Sequence, residues 1–440
     1  MSCLCSHLDQ GQHLYLIDAL LTRYLRAFNA RHMQLDPMEG VHVRPTEGKQ
    51  YLLYIHIPFC ESLCPFCSFH RVRFVGDKTK RYFQALRKEI SNYLDAGFEF
   101  RDIYVGGGTP TVMPDELAKT LDMISTRSNL SSISVETNPN HLTQATLDIL
   151  KDAGVTRLSV GVQSLDNHLL EDMRRLEPYG SAEHIIENLD RTQGQFDTFN
   201  VDMIFNIPHQ SQDSLINDLE RLIRLGIDQI SYYPLMPSDE TQRSINKHMG
   251  HLDFHNEKAM YRLIQSHLSE YYQPSSAWCF SKSSSSIDEY IVDHNEYLGV
   301  GSGSFSYLNS GSYSTSFSID HYIDLVSRGK SAITAGRPMT QHEQMQYDLL
   351  MKLFGLRIQK SDICMTYGEL FHEKLWKELT TFKLLGALKE TEDELLLTDR
   401  GMYYWVIMMR EFFIGVNNFR SQMRAQIHDE LKPLKKPSAA

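Results

Sequence analysis

The feature that most constrains this chain is a regular alternation of short apolar runs with stretches of helical periodicity. Six strand-like runs occur: Tyr51–Ile57, Asp102–Val105, Ser132–Glu136, Arg157–Val160, Asn200–Phe205 and Gln229–Tyr233. Between them lie helix-like segments at Lys78–Ala96, Asp115–Ser125, Gln144–Lys151, Ala182–Thr192 and Ser214–Leu225. Strands that alternate with helices pair in parallel, and strands apolar on both faces are covered on both sides. The runs are of that kind, so the chain predicts an α/β fold of six parallel βα units. An incomplete (βα)6 barrel fits best, with an open doubly wound sheet as the alternative. Chemistry in such barrels sits at the C-terminal ends of the strands. That is where the unusual residues fall: His-Ile-Pro-Phe-Cys60, Gly106-Gly-Gly-Thr-Pro110, Glu136-Thr-Asn-Pro139 and Gly161-Val-Gln-Ser164.

Outside the barrel the pattern changes. Residues 1–48 read as an N-terminal helical segment, with a helix at His13–Arg31. Residues 49–310 form the barrel and carry the site, and residues 311–440 read as a C-terminal winged-helix-like domain. That domain is expected to hold helices at Gln341–Phe354 and Tyr367–Lys377, a hairpin near 387–398 turning at Glu392-Asp393, and a last helix from Gly401. The acidic turn of the hairpin suits a packing role and not nucleic-acid binding. The whole chain agrees, with 55 Asp and Glu against 44 Lys and Arg. A general nucleic-acid coat wants the opposite sign. The longest apolar runs, such as Tyr403–Met409, are far too short for a bilayer span. The first residues lack the basic and apolar stretches of a secretory signal.

Seven cysteines are present, three of them in Cys60-Glu-Ser-Leu-Cys64-Pro-Phe-Cys67. An odd number with this crowding points to a cytoplasmic protein using thiolates as metal ligands, not to a disulfide scaffold. Two centres suit three thiolates in one loop. One is a cubane [4Fe–4S] cluster with one iron left open, since four Cys ligands are usual. The other is structural zinc with His56 or His70 as fourth ligand. Zinc ligands usually come in separated pairs, and no second pair follows, which favours the cluster. Cys279 and Cys364 read as small buried hydrophobes, and Cys3 and Cys5 as incidental. His248, His251 and His255 share a polar segment that reads as solvated surface, with a heme-facing cluster as the alternative. Tyr232, Tyr233, Pro234, Leu235 and Met236 could wall an apolar ligand or simply pack the core.

The four motifs, taken in order, resemble those of the radical S-adenosylmethionine (SAM) enzymes, in the branch typified by oxygen-independent coproporphyrinogen III dehydrogenase. The resemblance covers about residues 50–310. It implies that Cys60, Cys64 and Cys67 hold a [4Fe–4S] cluster whose open iron binds SAM. It further implies SAM contacts from Tyr54, Phe66, Gly107, Gly108, Thr109, Glu136, Gln163, Arg175, Asp202 and Phe305, with two SAM molecules held. Within the branch, dehydrogenases carry a fourth Cys two positions after the third, where this chain has Phe69. The chain is most similar to the anaerobic heme-degrading methyltransferases, the anaerobilin synthases. That resemblance implies that a SAM-derived radical opens heme, adds a methyl group and frees iron, leaving a linear tetrapyrrole. It also implies heme or another porphyrin as substrate and a flavodoxin or ferredoxin as reductase. The alternatives are a heme chaperone of the same branch, the dehydrogenase itself, and a cyclopropanating or C-methylating enzyme of natural-product synthesis.

Overall fold

In the computed structural model, residues 10–283, 294 and 296–430 are described. Cys3, Cys5 and the tail from Lys432 lie outside them. All six expected strands form, at Gln50–Ile57, Glu99–Gly107, Ser132–Thr137, Arg157–Gln163, Thr198–Phe205 and Gln229–Pro234. They lie side by side in chain order, every neighbouring pair parallel. A seventh parallel strand, Tyr297–Val300, joins beside Gln50–Ile57. Antiparallel strands extend both flanks to a 13-stranded sheet. Its edge strands, Asp36–Pro37 and Gln273–Pro274, do not pair with each other, so the strands form no closed barrel among the described residues. Seven of the eight residues of Gln50–Ile57 are buried, as a strand covered on both faces must be.

The five expected helices between the strands form within two residues of their expected bounds. Ser181, Ser211 and Thr143 cap three of them by accepting a backbone N–H with the side chain. Beyond the barrel the sheet continues past residue 310. Phe305–Leu308, Gly311–Thr315 and Ile333–Pro338 pair in succession, so the expected boundary falls inside a hairpin. The first two of these strands are short and rich in Ser and Tyr, which hides their alternation.

The helix Gln341–Phe354 has its expected bounds and a capping box between Thr340 and Glu343. The expected helix Tyr367–Lys377 does not form as one. One helix ends at Tyr367, Gly368 turns the chain at φ +60°, and Leu370–Lys374 and Trp376–Leu384 follow. The hairpin at Leu388–Glu390 and Glu394–Leu397 gains a third strand, Arg357–Gln359, giving a winged-helix-like unit. Cys364 is exposed there, not buried; Cys279 is buried as expected.

The last helix, Asp399–Glu430, positions the site. Its middle packs on the N-terminal helix, where Arg26 pairs with Glu411 at 2.8 Å and Asn29 donates to the Glu411 carbonyl. Its far end returns to the barrel mouth. Asn417 donates to the Met236 carbonyl at 2.7 Å, Ser421 to Ser238 at 3.0 Å, and Arg424 to the Phe69 carbonyl at 3.0 Å.

One buried carboxyl behind the barrel gives a pH test. Glu89 accepts from Gly301 N–H at 2.9 Å and from the Tyr322 hydroxyl at 2.6 Å. Burial pushes it from 4.5 up to about 7. A raised acid contributes its stability fully below 4.5 and loses it as pH rises through 7. Glu89→Gln, which cannot ionise, should abolish that loss. Between pH 5 and 8, the wild type should lose about 2–3 kcal/mol relative to the variant in denaturant unfolding. Parallel stability profiles would contradict this.

Candidate functional site

The site begins where the first barrel strand ends. Pro58 follows Ile57, and the chain makes a two-residue strand, Phe59–Cys60, paired in parallel with Val72–Arg73. Val72 N–H donates to Pro58 O and Phe74 N–H to Cys60 O, so both ends of the cysteine loop are pinned to one another. The second strand delivers the glycine run against it. Gly108 N–H donates to Ile57 O and Thr109 N–H to Phe59 O, each at 2.8 Å. A Cβ on Gly108 would lie 2.7 Å from Phe59 O and 2.9 Å from Cys60 Sγ. Gly107, at φ +120°, sits equally tight on the His56 ring. The glycines are therefore required by contact with the cysteine loop as well as by any ligand.

Cys60, Cys64 and Cys67 all line one cavity of about 380 Å³, within the range of ligand pockets. Among the described residues, no three His, Cys, Asp or Glu side chains gather as ligands of a single ion would. Three cysteines from one loop lining one cavity are a donor set that a [4Fe–4S] cluster would take, with one iron left open. Zinc with His56 does not fit. His56 Nε2 lies 2.9 Å from His70 O, which can only accept, and Nδ1 lies 2.9 Å from the Tyr54 hydroxyl. Both ring nitrogens are engaged, and burial drives the ring down to about 4, so it stays neutral. Burial pushes the Cys60 thiol up to about 12; bound iron would supply the charge that keeps it a thiolate.

The other expected residues converge on the same space. Tyr54, Phe66, Gly107, Gly108, Glu136, Gln163, Arg175, Asp202 and Phe305 all line the cavity. Glu136 accepts from the Tyr104 hydroxyl at 2.9 Å and from Gly107 N–H at 3.1 Å. Asp202 accepts from Ser159 and from Asn200, each at 2.7 Å. Gln163 holds a positive φ of 77° at the end of its strand. Thr109 is placed differently. It is 2% exposed and directs its hydroxyl to Cys60 Sγ at 3.6 Å, supporting the ligand loop and not facing the cavity. Arg175, 3% exposed, is more than a surface charge. Its Nη1 lies 3.4 Å from Cys64 Sγ, its Nη2 donates to Asn138 at 3.1 Å, and its Nε has no hydrogen-bond partner.

The far wall is apolar. Tyr233, Pro234, Leu235 and Met236 line it, with Tyr232 buried behind. Phe412, Phe413, Val416 and Phe419 of the last helix complete it. His251 and His255 are exposed and none of the three segment histidines lines the cavity, as a solvated surface requires. Sequence reasoning missed Asn138, which supports both Thr109 and Arg175, although it stands inside the Glu136 motif. It also missed Arg71 and Arg420 in the lining. Arg420 carries no local signal, because only the fold brings it to the loop.

Comparison with known proteins bears on the family and the fold. Residues 54–222 match the radical SAM superfamily. This radical SAM domain implies a [4Fe–4S] cluster and S-adenosylmethionine as cofactors. The chain is 28% identical to a heme chaperone of Bacillus subtilis over 369 residues, covering 79% of this chain and 95% of that protein. A heme chaperone of Lactococcus lactis is 27% identical, with 83% and 98% covered. An oxygen-independent coproporphyrinogen III oxidase of Paracoccus denitrificans is 29% identical, with 51% and 52% covered. The solved coproporphyrinogen III oxidase of Escherichia coli superposes with a TM-score of 0.69 at 22% identity, covering 82% of this chain and 90% of that one. The fold is thus the radical SAM α/β fold.

Proposed function

We propose that this protein takes a heme-type tetrapyrrole into the cavity at the barrel mouth, beside SAM on the cluster. The carrying observation is that one cavity has the three cysteines on one wall and an aromatic, aliphatic surface on the other. A planar macrocycle needs such a wall, and few polar anchors. When bound, the reduced cluster supplies the electron that cleaves SAM. The chain's own residues bind and orient. In this reading Glu136, Gln163 and Asp202 accept from SAM's ammonium and hydroxyl groups. Arg175 meets its carboxylate, while Tyr54, Phe66 and Phe305 flank the SAM sites. The last helix closes the mouth and keeps water out.

These roles separate in two variants. Asp202→Ala should weaken SAM use by about tenfold or more with iron unchanged, because it removes a charged acceptor and no ligand. Arg175→Ala should lower both SAM use and cluster content, because its guanidinium also contacts Cys64. Iron and sulfide per chain, beside SAM cleavage rate, read the two apart. If Asp202→Ala loses its iron as completely as Cys64→Ala, its role is structural.

Two readings follow for the bound heme. Carriage, with heme held and handed on intact, is supported by likeness to heme chaperones over nearly their whole length. This shifts the weight away from the ring opening expected of the sequence. Ring opening with methyl addition, the reading expected of the sequence, is compatible with a cavity lined by both the apolar wall and the cysteine loop, which serves carriage equally well. Coproporphyrinogen oxidation has support from oxidase relatives that cover between 41% and 73% of this chain, while Phe69 stands where the fourth Cys is expected. A cytoplasmic site of action and a flavodoxin or ferredoxin as reductase belong to the same proposal.

Incubating cluster-loaded protein anaerobically with SAM and reductant, in parallel with heme and with coproporphyrinogen III, decides among them. Heme bound and recovered intact supports carriage. Loss of the Soret band with iron release and a product heavier by a methyl group supports ring opening. Decarboxylation of coproporphyrinogen with heme untouched selects the oxidase, and failure to bind any tetrapyrrole overturns the proposal.

A further inference from the structure

A chain of side-chain hydrogen bonds runs from one cysteine of the ligand loop to another. Arg175 Nη1 lies 3.4 Å from Cys64 Sγ, and its Nη2 donates to Asn138 Oδ1 at 3.1 Å. Asn138 Nδ2 donates to the Thr109 hydroxyl at 2.8 Å, and that hydroxyl lies 3.6 Å from Cys60 Sγ. All three side chains belong to buried residues. Thr109 follows the second barrel strand, Asn138 the third, and Arg175 comes after the fourth, so the sheet itself fixes their spacing. Asn138 joins the two ends and bonds to neither sulfur.

The direction of each bond is forced. A guanidinium can only donate, so the Asn138 atom that faces Arg175 is the carbonyl oxygen. The amide nitrogen then faces Thr109 and donates to it. That uses the hydroxyl as an acceptor and leaves its one hydrogen for Cys60 Sγ. The guanidinium is held as well. Its Nη2 also donates to the Gly161 carbonyl, and its carbon lies 4.1 Å from the centre of the Tyr179 ring. Its Nε has no hydrogen-bond partner and stays available for the SAM carboxylate. Donors aimed at a thiolate sulfur favour the state with more negative charge. A cluster gains an electron on reduction, and hydrogen bonds to its sulfurs are among the factors that set its potential.

We infer that Asn138 is a positioning residue that raises the reduction potential of the cluster, by aiming Thr109 at Cys60 and Arg175 at Cys64. The inference rests on the cluster reading above and adds to it how readily the cluster takes its electron. The network lessens the driving force that a reductase must supply.

The test is a reductive titration of anaerobically reconstituted protein without SAM, followed by electron paramagnetic resonance. Thr109→Val keeps the shape of the side chain and removes the hydroxyl. Its cluster should be harder to reduce, with the equilibrium constant lower by about tenfold, or about 59 mV for one electron. Thr109→Ser, which keeps a hydroxyl, should titrate as wild type does. Asn138→Leu should fall at least as far as Thr109→Val, although Asn138 bonds to no cysteine. The midpoint is read from loaded clusters alone, so a residue that merely braced the loop would lose iron and leave the midpoint unchanged. A wild-type midpoint in Thr109→Val, or in the clusters that Asn138→Leu retains, would overturn the inference. Complete loss of iron from both Asn138→Leu and Asn138→Ala would make the residue structural and also overturn it. Absence of iron and labile sulfide from the wild type would instead overturn the cluster reading itself.

Discussion

Replacing Cys60, Cys64 or Cys67 with alanine should remove most of the cluster iron and abolish SAM cleavage. In the proposed site each thiolate is one of three ligands, and the loop that carries them is closed at its base by the Val72 and Phe74 backbone bonds. The fold itself should survive. The loop stands at the mouth of the sheet, and the strands carry their own core of Leu53, Ile55, Val105, Val135 and Val160. The variants should therefore be soluble and folded, with their loss confined to iron, sulfide and SAM chemistry. Iron and labile sulfide in anaerobically purified protein measure this directly. One equivalent of zinc and no sulfide in the wild type would refute the cluster.

Gly108→Val should be nearly as damaging, for a different reason. Its backbone lies under the cysteine loop, and even a first side-chain carbon would stand 2.7 Å from Phe59 O and 2.9 Å from Cys60 Sγ. The clash is with backbone and with the Cys60 sulfur proposed to bind the cluster, so no long flexible side chain can give way. Overpacking of this kind commonly costs about 1–3 kcal/mol. The strain here falls on the loop that holds the iron, because Gly108 N–H is also bound to Ile57 O. The variant should purify with under about a tenth of wild-type SAM cleavage and with reduced iron. A variant with full iron and full cleavage would show that the close packing does not govern the site.

The six barrel strands and their helices were legible because buried parallel strands write continuous apolar runs and amphipathic helices a 3.6-residue period. The motif residues were legible because each follows a strand. Other elements left no such mark. Phe305–Leu308 and Gly311–Thr315 are short and rich in Ser and Tyr, and Arg357–Gln359 is a three-residue strand. Gly368 interrupts an otherwise helical pattern, which periodicity alone reads through. Cys364 reads as core by residue type alone, but its helix turns it to solvent. The contact of Arg424 with Phe69 was invisible for a stronger reason: the two are 355 residues apart, and only the return of the last helix to the barrel mouth joins them.

The central claim is that heme and the cluster share one cavity. Magnetic relaxation of the reduced cluster tests it most directly, because a paramagnetic neighbour within a shared pocket speeds that relaxation and a diamagnetic one does not. Cluster-loaded protein with SAM would be saturated with high-spin manganese(II) protoporphyrin or with diamagnetic zinc protoporphyrin as stand-ins for heme, binding being verified by the Soret bands. Faster relaxation of the cluster signal with manganese than with zinc protoporphyrin is the expected result. Equal relaxation with both porphyrins bound would place the tetrapyrrole outside this cavity and contradict the account.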